Sequence, residues 1–182
     1  LRQLHHPFIG RMYGTYKTKL NICLVLEPFL AGDMFTYLRN VYIISETSTI
    51  FYAQCISLAL DFLHENGIIH RDIKPENIMF GKDGYIKLID FGYSKLFYVN
   101  DRLNTWSGTS EYLAPEITLR IPYGVSVDWW ALGIFMYECI EGQTPFHDED
   151  EIKLINNIQT KDVEFNRCSP KIANTIRELL NK

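Results

Sequence analysis

The chain has 182 residues, 47% of them hydrophobic and 14% aromatic, enough to bury a sizeable core and too apolar for a disordered segment. A formal net charge of −4 argues against a dedicated nucleic-acid binder, whose affinity rests on a basic surface, while local acidic clusters could still attract a basic peptide. No run of about 18 apolar residues marks a membrane span, and the four cysteines, Cys23, Cys55, Cys139 and Cys168, lack C-x-x-C spacing and read as free thiols of a reducing compartment.

The opening, Leu1 to Pro7, has neither an initiating methionine nor a signal peptide and reads as the middle of a longer sequence. Residues 9–35 run apolar in short pieces, among them Ile22-Cys23-Leu24-Val25-Leu26, and predict strands leading to a connector at Glu27-Pro28-Phe29. From Ser45 to Asn66 the spacing of Ile50, Phe51, Leu58, Phe62 and Leu63 predicts a helix with Ser45 as N-cap and Gly67 as its stop. Ile68-Ile69, Ile78-Met79-Phe80 and Tyr85 to Ile89 predict short strands, the last two joined by turn residues Gly81 to Gly84. Val125 to Glu141 is apolar on more than one face, the pattern of a buried central helix, and Gly142 ends it. Ser169-Pro170 opens a last helix with Ile172, Ile176, Leu179 and Leu180 on one side, and the chain is expected to stop inside it. The class is α+β: one mainly helical unit with a small strand-rich N-terminal piece, free of repeats and low-complexity tracts.

Two stretches carry chemistry: His70-Arg71-Asp72-Ile73-Lys74-Pro75-Glu76-Asn77 and Asp90-Phe91-Gly92. Asp72 suits a base, Lys74 a cation for a transferring phosphate, and Asn77 and Asp90 are hard oxygen ligands of the kind magnesium prefers. Singly, each would read as a turn or cap residue. As a spaced set, followed in order by Ala114-Pro115-Glu116 and Asp128-Trp129-Trp130-Ala131-Leu132-Gly133, they point to phosphoryl transfer. His5, His6, His64 and His147 have no metal-ligand spacing and read as solvated or packed imidazoles.

On these residues, and on Gly108 to Glu116 and Val127 to Gly133, the chain resembles the eukaryotic protein kinase family across essentially its full length. It is most similar to the AGC group and, within it, to the cyclic-nucleotide-dependent kinases. The resemblance implies a protein-kinase-like bilobal fold. Residues 1–26 would be a remnant of the N-terminal lobe, 27–35 the hinge region, and 36–182 the helical C-terminal lobe, cut short at its end. Lys74-Pro75-Glu76 and Thr109 are similar to serine/threonine kinases rather than tyrosine kinases.

By that resemblance Asp72, Lys74 and Asn77 are catalytic, with Asn77 and Asp90 holding the magnesium ions that bridge the ATP phosphates. Backbone groups of Glu27 and Phe29 would pair with the adenine edge, Leu26 would limit access behind it, and Met79 would pack beneath the ring. Asp33 would reach the ribose and the substrate rim. Asp33, Glu76 and Glu138, with Thr109, would contact substrate, the carboxylates receiving arginines two and three positions before the target hydroxyl; the competing reading is solvated surface acids. Thr105 matches a phosphorylation position whose phosphate would bridge Arg71 and Lys95. Leu1, Met12, His70 and Phe91 match an internal apolar stack. The implied cofactors are ATP and Mg2+. The implied partners are protein substrates with basic motifs and a regulatory subunit or domain. The implied location is cytoplasmic, extending to the nucleus.

The match departs in places. Ser110 stands where the family usually has proline, the loop from Asp90 to Glu116 looks longer around Tyr98 to Asn104, and the arginine that would pair with Glu116 falls beyond Lys182. No Gly-x-Gly-x-x-Gly occurs, and the glycine-rich loop and strand lysine that grip ATP would precede Leu1. These residues alone are therefore expected to bind ATP weakly and turn over poorly or not at all. A pseudokinase or scaffold module is the alternative. A small-molecule phosphotransferase of related fold is a third reading, opposed by the Thr109 to Glu116 segment.

Overall fold

The computed structural model describes residues 4–97 and 103–182. The expectation for Leu1, and most of that for the Tyr98 to Asn104 loop, lies outside the described residues.

Strands β1 (Met12–Lys17) and β2 (Ile22–Leu26) form an antiparallel hairpin. The Thr18 hydroxyl stabilises its turn by accepting the Leu20 and Asn21 N–H groups. The connector predicted at Glu27 leads into α1 (Met34–Val41), then α2 (Glu46–Glu65). Ser45 caps α2 as expected, its hydroxyl accepting the Ser48 N–H at 3.2 Å. Next come β3 (Ile68–Ile69), the Asp72 loop with a helical turn at Pro75–Asn77, β4 (Ile78–Phe80), β5 (Ile86–Leu88) and β6 (Lys95–Leu96). β3 pairs with β6, and β4 with β5, both antiparallel. The rest is helical: α3 (Pro115–Thr118), α4 (Ser126–Glu141), α5 (Glu151–Thr160) and α6 (Pro170–Leu179).

Helix α4 is the centre of the core, with thirteen of its sixteen residues buried, so no face is left for solvent. It packs against both α2 and α6. Each fully buried Leu, Ile or Phe contributes about 1.5–3 kcal/mol, and Leu132, Ile134, Phe135 and Ile140 supply this in a single helix. A Cβ on Gly133 would fall 2.8–3.0 Å from Leu179 and Leu180, so glycine is what lets α6 approach this closely. Two carboxylates fix the chain leading into α6. Glu141 accepts the N–H groups of Asn166, Arg167 and Cys168 at 3.0–3.1 Å. Glu46 accepts both the N–H and the hydroxyl of Ser169, and the Ser169 backbone bond holds its carboxyl below the usual carboxylate range.

The helix expected from Ser45 to Asn66 forms as α2, and two of the residues whose spacing predicts it, Phe51 and Leu58, are 36% and 53% exposed. The buried face runs through Thr49, Ala53, Ile56, Ala59, Leu60 and Leu63, because small residues allow α4 to approach, and Phe51 instead packs on Tyr52 and Tyr85. The last helix does not run to the chain end; it closes at Leu179, where the Leu180 N–H returns to the Ile176 carbonyl. Helices α1 and α5 were not anticipated. Each has a cap and an i, i+4 apolar pair: Asp33 with Met34 and Leu38, and Asp150 with Leu154 and Ile158.

Candidate functional site

The β4–β5 hairpin sets the geometry. Asn77 precedes β4 and Ile89 follows β5, and the Ile89 N–H donates to the Asn77 carbonyl at 2.9 Å. Asp90 is thereby delivered beside Asn77, with φ of +56° and one carboxylate oxygen accepting the Gly92 N–H at 2.9 Å. The Asp72 loop closes over the same end. The Asn77 amide donates to the Asp72 carbonyl and to its Oδ2, both at 2.8 Å. Lys74 Nζ lies 2.9 Å from Asp72 Oδ2 and donates to the Thr109 hydroxyl at 2.7 Å, which itself donates to Asp72 Oδ1 at 3.1 Å. Four of the expected site residues, Asp72, Lys74, Asn77 and Thr109, thus form one connected network.

Counting lone pairs gives the chemistry available. Each carboxylate oxygen can accept about two hydrogen bonds. Asp72 Oδ2 is engaged by Asn77 and Lys74, whereas Oδ1 receives Thr109 alone among the described residues. One acceptor position on Oδ1 is therefore unfilled among the described residues.

Behind the loop stands Asp128, 0% exposed at the start of α4. One of its oxygens accepts the Arg71 N–H at 2.7 Å; the other accepts the His70 N–H at 2.9 Å and lies 2.8 Å from His64 Nε2. These bonds hold Arg71 at φ of +68°, a left-handed conformation costing roughly 1–2 kcal/mol for a side chain with a Cβ. Burial keeps the His70 imidazole below its ordinary pKa and therefore neutral. Its Nδ1 faces the Asp72 N–H at 3.3 Å and its Nε2 the Ile89 carbonyl at 3.3 Å, a tautomer that ties the Asp72 loop to the segment after β5 that carries Asp90. Of the expected apolar stack, Phe91 packs on the His70 ring at 4.9 Å, and Met12 lines the same neighbouring cavity as Phe91.

The loop bearing Thr105 docks on Arg71, whose Nη1 donates to the Thr105 hydroxyl at 2.9 Å and whose Nε donates to the Tyr93 carbonyl at 2.7 Å. Lys95 lies exposed on β6, and no hydrogen bond joins it to Thr105 among the described residues. Gly108, at φ of +119°, crosses the Arg71 carbonyl so closely that a Cβ would fall 2.9 Å from that oxygen, which explains a glycine immediately before Thr109.

A cavity of about 380 Å³ lies between β1, β2 and the Asp90 segment, lined by Met12, Leu24, Leu26, Phe29, Ile89 and Asp90. Apolar walls with one acid in the lining suit a flat ring carrying phosphates. The Glu27 N–H is engaged by the Arg11 carbonyl at 2.9 Å and its carboxylate by Lys87 at 2.8 Å. Met79 is partly buried in β4 beside the isolated bridge to Asp33. The oxygens of Asn77 and Asp90 fit a magnesium ion. Among the described residues no three His, Cys, Asp or Glu cluster as a metal cage, so such an ion would take its remaining ligands from phosphates and water.

Asp33 gives both carboxylate oxygens to Thr36, at 2.7 and 2.9 Å, as the cap of α1. Glu138 is no freely solvated acid: it accepts a hydrogen bond from the buried Tyr112 hydroxyl, and burial raises its pKa. With Glu76, Glu111, Asp148 and Arg39 it lines a second cavity of about 530 Å³ next to Thr109 and Ser110. A groove of similar size between α2, α4 and α6 shares no residue with either, so size alone does not locate the chemistry.

Residues 1–182 match the family described as Protein kinase domain. The chain belongs to the protein kinase domain family. It is 42% identical over 165 residues to the cAMP-dependent protein kinase catalytic subunit of Dictyostelium discoideum, covering 91% of this chain and 25% of that protein. Identity to the cAMP-dependent protein kinase type 3 of Saccharomyces cerevisiae is 41% over 160 residues, 88% of this chain and 40% of the relative. The serine/threonine-protein kinase akt-2 of Caenorhabditis elegans is 40% identical over 179 residues, 97% of this chain and 34% of its own length. The chain thus spans between a quarter and two fifths of the length of these relatives. No helix among the described residues of this kinase domain is long and apolar enough to cross a membrane.

Asp128 and Tyr112 both stand in motifs legible in the sequence that give them no task, and nothing in the sequence singles out Tyr123. An aspartate opening an otherwise apolar helix was the available signal for the first, since a carboxylate in such a helix must be buried with donors. Glu116 meets the Ser126 hydroxyl at 2.9 Å, and no ion pair reaches it among the described residues.

Proposed function

We propose that the protein is a serine/threonine protein kinase that transfers the ATP γ-phosphoryl group to hydroxyls of protein substrates, residues 1–26 belonging to an N-terminal lobe, 27–35 to a hinge and 36–182 to a C-terminal lobe. The observation that carries this reading is Asp72: its Oδ2 is filled by Asn77 and Lys74 at 2.8 and 2.9 Å, while Oδ1 keeps an open acceptor position. ATP with magnesium, which Asn77 and Asp90 would hold, supplies the phosphoryl group and much of the countercharge. Asp72 orients the substrate hydroxyl and takes its proton at Oδ1. Lys74 sets a positive charge beside the same carboxylate, and Thr109 fixes both. The intact set of Asp72, Lys74, Asn77 and Asp90 favours catalysis over a pseudokinase role. Working as such a kinase, the protein would act with a regulatory subunit or domain in the cytoplasm and nucleus.

Substrates carry arginine two and three positions before the acceptor. The support is the acidic cavity of Glu76, Glu111 and Glu138 beside Thr109, where a guanidinium would find several carboxylates, that of Glu138 already partly stripped of water. Changing those arginines to alanine in a test peptide is expected to raise KM at least tenfold with the full-length protein; unchanged turnover removes the basic preference. The same cavity gives a pH dependence. Burial first, then the neighbouring carboxylates, raise the Glu138 pKa, so Glu138 protonates earlier than an ordinary glutamate as pH falls. KM for arginine peptides should therefore rise toward mildly acidic pH, and the trend should vanish in Glu138→Gln.

Thr105 is the regulatory residue. Its hydroxyl already meets Arg71, so a phosphate there would gain charge-assisted bonds without rebuilding the loop. Activity that survives intact in Thr105→Ala rules this out.

A further inference from the structure

Tyr123 is 3% exposed, yet its hydroxyl reaches the Thr105 loop. It donates to the Thr105 carbonyl at 2.8 Å and lies 3.3 Å from both the Thr105 hydroxyl and Arg71 Nη1. The backbone adds two bonds, Leu103 N–H to the Tyr123 carbonyl at 3.0 Å and Tyr123 N–H to the Leu103 carbonyl at 2.8 Å. Five residues further on, Asp128 accepts the Arg71 N–H at 2.7 Å. One short stretch of chain therefore grips Arg71 at both ends, by its backbone through Asp128 and by its guanidinium through Tyr123. Arg71 is bonded to Asp72, and its left-handed backbone survives only while these contacts hold it.

We infer that Tyr123 is a positioning residue: its hydroxyl clips the unmodified Thr105 loop onto Arg71 and so keeps the Asp72 loop in working register before any phosphate is added. The regulatory half of this inference rests on the proposed switch at Thr105. The clip is made of neutral hydrogen bonds and one to a guanidinium, each modest. A phosphate on Thr105 would meet Arg71 with much stronger charge-assisted bonds. Tyr123 consequently matters most in the unphosphorylated form and little once Thr105 is modified.

The test is Tyr123→Phe in the full-length protein, which keeps the buried ring and removes only the hydroxyl. Phosphatase-treated and Thr105-phosphorylated samples are compared for kcat, KM and melting temperature. The expected result is a five- to tenfold fall in kcat in the treated sample, less than twofold in the phosphorylated one, and similar melting temperatures. Equal losses in both forms would mean a structural residue without the conditional role, and no loss in the treated form would overturn the inference. Hydrogen exchange across residues 103–107 needs no activity: the treated variant should exchange at least threefold faster there than the treated wild type, and equal rates also overturn it. The two readings fail separately. If phosphatase treatment leaves wild-type activity unchanged, Thr105 is not the switch, whereas the exchange result still decides the clip.

Discussion

Asp72→Asn in the full-length protein is expected to lower kcat by about 10²- to 10⁴-fold, the range lost when a positioned general base is removed. The asparagine can place its carbonyl oxygen where Oδ2 stood, facing the Asn77 amide and Lys74, and its amide toward the Thr109 oxygen, so the network keeps its shape. The melting temperature should then stay within a few degrees of wild type while phosphotransfer to a peptide at saturating ATP is lost. A variant with rates within threefold of wild type would remove Asp72 from the role of base. This separates a base from a structural aspartate, because the substitution preserves volume and most hydrogen bonds.

Asp128→Ala should act in the opposite order, on stability first. The carboxylate is fully buried and accepts from the His70 and Arg71 N–H groups while facing His64. Removing it strands two backbone donors away from water and leaves His64 without its partner, a loss on the order of 3–5 kcal/mol. Urea unfolding measures it directly, and a change below about 1 kcal/mol would mean that water enters and replaces the carboxylate. Asp128→Asn should fall between, since one oxygen remains to accept. Activity should decline in proportion to the folded fraction and further, because Arg71 loses the bond that holds its left-handed backbone.

Much of this was legible in the sequence because the chemistry is local. Asp72, Lys74 and Asn77 lie within six residues, and the β4–β5 hairpin that brings Asp90 to Asn77 is announced by its turn residues. The helical spacing of α2 and the all-round apolar character of α4 were also readable, as were the Ser45 cap and the Gly142 stop. What could not be read depends on pairs distant in sequence. Glu138 looks like a surface acid until Tyr112, 26 residues earlier, is found bonded to it. Tyr123 looks like a loop tyrosine until the Thr105 carbonyl is seen against its hydroxyl. The exposure of Phe51 and Leu58 was not readable for a related reason: apolar spacing marks a stripe, but the neighbouring helix decides which edge of it is covered.

The anchoring of the Asp72 loop by α4 has a consequence for how the protein is made. His70 and Arg71 leave the ribosome 58 and 57 residues before Asp128. At about 5–20 residues per second, several seconds pass in which the loop exists without its anchor. During that interval Arg71 has no reason to hold a left-handed backbone, and the apolar face of α2 that α4 will cover stands open to water. The nascent chain should be a client for chaperones in this window, and the reaction centre should set only as α4 docks, late and all at once.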